Sequence, residues 1–83
     1  MKITVKYFAS IREAIGRGTE QRTTSAASLA DLRTELIGLG GAYADSLSRN
    51  RAVRLALNQV MSDESTPLTD GSEVAFFPPV TGG

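Results

Sequence analysis

The chain has 83 residues, and its nine Lys and Arg are cancelled by nine Asp and Glu. That length allows one small domain, and a net charge of zero argues against a strongly basic nucleic-acid binder or an acidic disordered tail. Cys and His are both absent, which removes disulfide frameworks, thiolate nucleophiles, cysteine zinc sites and the commonest general base.

The first stretch, KITVKYF (2–8), alternates. Ile3, Val5 and Tyr7 share one face and Lys2, Thr4 and Lys6 the other, the pattern of a half-buried strand that leaves Phe8 off the core side. Lys6 interrupts the apolar run before it could form a signal-peptide core. No stretch approaches a membrane span, so a cytoplasmic location and no membrane partner are expected. In SIREAIG, Ser10 and Glu13 have capping-box spacing and Gly16 is placed as a stop, predicting a helical turn over 10–15. EQRTTS (20–25) reads as a polar edge strand.

SLADLRTELIGLGG is the clearest helix. Ser28 can cap it, Leu29, Leu32, Leu36 and Leu39 form its apolar stripe, Arg33 and Glu35 face out, and Gly40-Gly41 end it. Residues 43–51 read equally as a short helix or a loop. Val53, Leu55 and Leu57 alternate in a third strand over 53–58. A turn-rich stretch then carries Met61 and ends at the turn dipeptide Asp70-Gly71. EVAFF (73–77) is the last strand, with Val74 and Phe76 on one face and Phe77 on the other.

The predicted order is β-β-α-β-β. The expected class is α+β, a mixed sheet of four to five strands with one main helix on one face, the β-grasp arrangement. Phe8 and Phe77 then share the sheet face opposite the helix. The expected division is a domain over 1–77 and an extended tail over 78–83.

No side-chain constellation for catalysis emerges. Asp63, Glu64, Asp70 and Glu73 lack calcium-loop spacing and apolar surroundings, so no metal site is expected. Arg49, Arg51 and Arg54 could grip phosphate, or form a solvated turn or a partner-facing rim. The tail is more distinctive. Pro78 and Pro79 cannot extend a ladder and favour an extended, stiff conformation. Val80 and Thr81 offer modest grip, and Gly82 and Gly83 let backbone pass a narrow channel to a reactive centre. From the residues alone this end is either an inert terminus or a presented carboxylate on Gly83.

LTDGSEVAFFPPVTGG (68–83) strongly resembles the C-terminus of the molybdopterin synthase small-subunit family, ubiquitin-like β-grasp sulfur carriers related to the thiamine-pathway carrier. FASIREAIG (8–16) and LALNQ (55–59) extend the resemblance over the whole chain. It implies that a ubiquitin-activating-type enzyme uses ATP to adenylate the Gly83 carboxylate. Sulfur from a persulfide donor then leaves a thiocarboxylate there, with no cofactor bound. The tail from Pro78 through Pro79, Val80, Thr81 and Gly82 inserts into the large synthase subunit. Sulfur passes to a cyclic pyranopterin monophosphate to build the molybdopterin dithiolene, within a heterotetramer of two small and two large subunits. Catalysis by the carrier alone is not implied.

The resemblance also assigns Phe8, Arg12, Met61 and Phe77 to the contact with the large subunit. An exposed patch of aromatics, Met and one Arg has an interface composition; the competing reading is secondary core beneath a loop. The alternatives to the sulfur carrier are a ubiquitin-like protein modifier, a carrier for thiamine synthesis, or a plain binding module with an inert tail.

Overall fold

The structure is a computed structural model that describes residues 1–79. Among these, β1 (Lys2–Tyr7), α1 (Ala9–Ile15), β2 (Thr19–Thr23), α2 (Leu29–Ile37), α3 (Gly41–Leu47), β3 (Arg54–Leu57), β4 (Val60–Ser62) and β5 (Glu73–Phe77) follow in chain order. The strands form one mixed sheet in the order β2-β1-β5-β3-β4. β1 runs parallel to β5 and antiparallel to β2, while β3 runs antiparallel to both β5 and β4.

The alternation expected in β1 is realised: Ile3, Val5 and Tyr7 are buried, and across the sheet they meet Leu55, Val74 and Phe76. Leu29, Leu32 and Leu36 of α2 cover this face, completing the β-grasp layering with one main helix, and Leu47 of α3 joins them. Burying ten or so such side chains against one sheet face supplies the main stabilisation of a domain this small. β2 is an edge strand, as its polar composition predicts.

Several expectations are corrected. The helix after β1 starts at Ala9 with Phe8 as its N-cap and no side-chain cap bond, so Ser10 lies inside the first turn and makes no capping box with Glu13. Gly16 does close it, at φ 88°. Ser28 caps α2 by accepting the Asp31 N–H, but the helix stops at Gly38, before Gly40-Gly41. Leu39 therefore leaves the stripe and is 50% exposed. Residues 43–51 resolve into the end of α3 and a turn. β3 begins at Arg54, leaving Val53 outside the strand, and Leu57 is only half-buried.

Arg33 departs most from expectation. It does not face out but is 3% exposed. Its Nε donates to Leu47 O at 2.7 Å, and its Nη2 donates to Ser48 O at 2.7 Å and Arg51 O at 3.0 Å. The guanidinium thus ties down Leu47 O at the end of α3 and two carbonyls of the turn beyond it, of which Ser48 O also accepts the Arg51 N–H. Burial lowers its pKa from the usual guanidinium value, and Glu64, 3.6 Å from Nη1, opposes that shift. Arg49 also pairs with Glu64 and donates to Ala30 O at 2.9 Å, tying α2 to the loop after β4.

Candidate functional site

β5 is the middle strand of the sheet, so the root of the C-terminal segment is held by ladders on both sides. The ladder to β1 ends at Phe76 and the ladder to β3 at Phe77, and Pro78 and Pro79 follow outside the strand. Pro has no N–H to donate to either neighbour, which explains why the stop falls where it does. Val80, Thr81, Gly82 and Gly83 lie outside the described residues.

Around this root the sheet face opposite α2 carries an apolar groove of about 490 Å³. Its construction follows from strand register. Phe77 stands opposite Arg54 across β5–β3, and Met61 opposite Ala56 across β4–β3. Phe8 leaves β1 at a sharp bend, where Ala9 takes φ 51°, and its ring stacks on Phe77 with centroids 4.6 Å apart and planes 11° from parallel. Phe8, Phe77, Met61, Pro78 and Pro79 line the groove together with Ala9 and Arg54.

Phe8 is 39% exposed and Met61 56% exposed. Large apolar side chains grouped and exposed on an open sheet face form a candidate interaction surface. Met61 lies in β4 rather than in a turn, which brings it onto this face. Arg12 is not among the groove-lining residues. Its side chain lies along α1 against Gly18, whose position could not carry a Cβ without meeting Arg12 Nε at 3.0 Å.

Arg54 was grouped by sequence with Arg49 and Arg51, but the structure separates them. Arg49 pairs with Glu64, and the Arg51 carbonyl receives Arg33. The signal for Arg54 was present: if Leu55 and Leu57 point to the core, Arg54 must point to the open face. The four carboxylates likewise disperse. Asp63 accepts from Ser65 and Thr66, whose hydrogen bonds hold its carboxyl below the usual range. Glu64 pairs with the two arginines, Asp70 accepts the Lys2 N–H, and Glu73 pairs with Lys6 at 3.4 Å. Among the described residues no cluster of three or more His, Cys, Asp or Glu could hold a metal, and no helix is long and apolar enough to cross a membrane.

On the helix side, Glu20 Oε2 accepts from Tyr7 Oη at 2.8 Å and Tyr43 Oη at 2.7 Å. Burial, reinforced by that carboxylate, pushes both phenols above the ordinary tyrosine range. Their phenols stay protonated at neutral pH, and the cluster joins α3 to β1 and β2.

A five-stranded mixed sheet clasping a helix, with an apolar groove where its central strand gives way to a Pro-Pro segment, defines the class: a ubiquitin-like β-grasp protein. Solved structures agree. SAMP1 from Haloferax volcanii superposes with a TM-score of 0.77 at 25% identity, with 100% of each chain covered. One chain of the complex of subunits 1 and 2 of molybdopterin-converting factor from Helicobacter pylori matches at a TM-score of 0.68 and 28% identity, again over 100% of both chains. The model of the ThiS family matches residues 5–83, and the chain belongs to that family. The molybdopterin synthase sulfur carrier subunit of Escherichia coli is 37% identical over 81 residues, covering 98% of this chain and 99% of the relative.

Proposed function

We propose that this protein is the sulfur-carrying small subunit of a molybdopterin synthase, and that the groove at the root of its tail docks the large subunit. The observation that carries the reading is the groove itself, an aromatic and Met surface beside Pro78-Pro79, in a chain related end to end to a carrier of that name. The likeness to one member of a complex of two molybdopterin-converting subunits supports a large-subunit partner. Insertion of 78–83 into that partner follows from the same reading, as do the heterotetramer and the cytoplasmic location.

The chemistry proposed for Gly83 begins in trans. Its carboxylate attacks the α-phosphorus of ATP on a ubiquitin-activating-type enzyme, releasing pyrophosphate and forming an acyl-adenylate. The terminal sulfur of a donor persulfide displaces AMP at the acyl carbon. A donor thiol then cleaves the resulting acyl disulfide, is itself oxidised to a disulfide, and leaves the thiocarboxylate. None of these steps asks for a side chain of the carrier, which suits a chain without Cys or His. What the carrier supplies is presentation: a rigid central strand, a Pro-Pro exit and a docking surface. Ordering a slim tail costs little side-chain entropy.

Reconstitution tests this reading. The thiocarboxylated protein, mixed with a molybdopterin synthase large subunit and the cyclic pyranopterin precursor, is expected to yield the dithiolene product. Isopeptide conjugates joining the Gly83 acyl group to lysines, or transfer of the sulfur to a thiazole precursor, with none to the pyranopterin, would instead select the modifier or the thiamine reading.

A further inference from the structure

The open sheet face is electrostatically one-sided although the whole chain is neutral. By register, its strand residues carry three cations, Lys2, Lys6 and Arg54, and one carboxylate, Glu73. Glu73 is engaged by Lys6 at 3.4 Å. Arg54 is exposed at the start of β3 and makes no ion pair or side-chain hydrogen bond among the described residues. It nevertheless stands directly opposite Phe77 and lines the apolar groove with Phe8 and Met61. Arg22, Arg33 and Arg49 are engaged by Glu35, three carbonyls and Glu64, and among the described residues Arg54 is the one charged side chain that lines the apolar groove.

A guanidinium in the middle of such a surface constrains what can cover it. A purely apolar partner would strip water from the cation and return nothing, which is strongly unfavourable. A carboxylate accepts its planar fork with two parallel hydrogen bonds. We infer that Arg54 is a specificity-determining residue of the docking groove, and that the partner's apolar surface carries a carboxylate that pairs with it beside Phe77. The inference rests on the large-subunit reading of this groove. It adds a charge requirement that the aromatic and Met contacts do not impose. Arg54 selects among partners of similar apolar shape by rejecting those without the acid.

Stopped-flow and calorimetric binding of the full-length protein to a purified molybdopterin synthase large subunit test it, with Arg54→Met keeping the stem and Arg54→Glu reversing the charge. Arg54 is exposed, so both variants are expected to melt like the unmodified protein. A desolvated pair predicts a loss of about 30-fold or more for Arg54→Met and a larger one for Arg54→Glu, both mainly in the dissociation rate and persisting at high salt. An Arg54→Glu affinity within about threefold of the parent overturns the inference, and so does a loss confined to the association rate that vanishes with added salt. Failure of the unmodified protein to bind the large subunit would overturn the underlying functional reading itself, and the inference with it.

Discussion

Replacing Arg33 by Met should remove a large share of this domain's stability, although a charged residue on a helix is ordinarily the safest place to substitute. The Met side chain keeps much of the stem packing but leaves Leu47 O, Ser48 O and Arg51 O without the donors now at 2.7, 2.7 and 3.0 Å. A hydrogen bond to a charged group contributes about 1.5–3 kcal/mol. Partial water access at Ser48 and Arg51 brings the total toward the lower end, about 3–5 kcal/mol for the three together. A chain of 83 residues has only about 4–12 kcal/mol of stability in all. The thermal midpoint should therefore fall by about 15–30 °C. Urea melts followed by circular dichroism read the change directly, with an unchanged slope showing that the folded state is otherwise intact. Arg33→Lys, one ammonium in place of a fork, should fall between the two. A loss below about 1 kcal/mol would refute the view that this guanidinium holds the end of α3.

Other outcomes follow from the same geometry. Tyr7 and Tyr43 have folded pKa values raised above the ordinary 10.0, so their contribution is complete below that pH. Above it the unfolded chain releases phenolic protons that the folded chain retains, and stability should fall by about 1.4 kcal/mol per pH unit for each phenol until its folded value is reached. Tyr43→Phe should make that alkaline slope shallower in melts run as the pH is raised through the ordinary tyrosine value of 10.0. Asn58 and Gln59, at φ 50° and 69°, form a two-residue hairpin turn; Gln59→Gly should stabilise the fold by up to about 1 kcal/mol in the same melts. Phe77→Ala removes half of the stacked pair beside the tail. It should cost stability only modestly, yet weaken large-subunit binding by about 30-fold or more in calorimetry.

What could be read from the sequence divides along the range of the interactions. The alternation of Ile3, Val5 and Tyr7, the stripe Leu29–Leu32–Leu36 and the pair Val74/Phe76 are local patterns, and each appears in the core. The sharing of one face by Phe8 and Phe77 followed from that alternation, and their stacking agrees with it. Arg33 was misread because periodicity sees only its charge. It falls four residues after Leu29 and three before Leu36, inside the buried arc, and its acceptors arrive 14 to 18 residues later in the chain. β4 is three residues long and half in solvent, too short for alternation to show, so Met61 looked like a loop residue. Arg12 belongs to α1 by local pattern, but only the packing of that helix against Gly18 shows that it stands apart from the groove. Leu39 leaves the stripe because the helix ends at Gly38, short of Gly40-Gly41.

The proposed function stands on Gly83 as the carrier of the transferred sulfur. Incubation of the intact protein with a carrier-activating enzyme, ATP and a persulfide donor, followed by mass spectrometry of the C-terminal peptide, tests it most directly. Replacement of one oxygen by one sulfur at Gly83 is expected, lost when Gly83 is deleted and when ATP is omitted. An unmodified C-terminal peptide, under conditions in which the same enzyme loads another carrier, would contradict it.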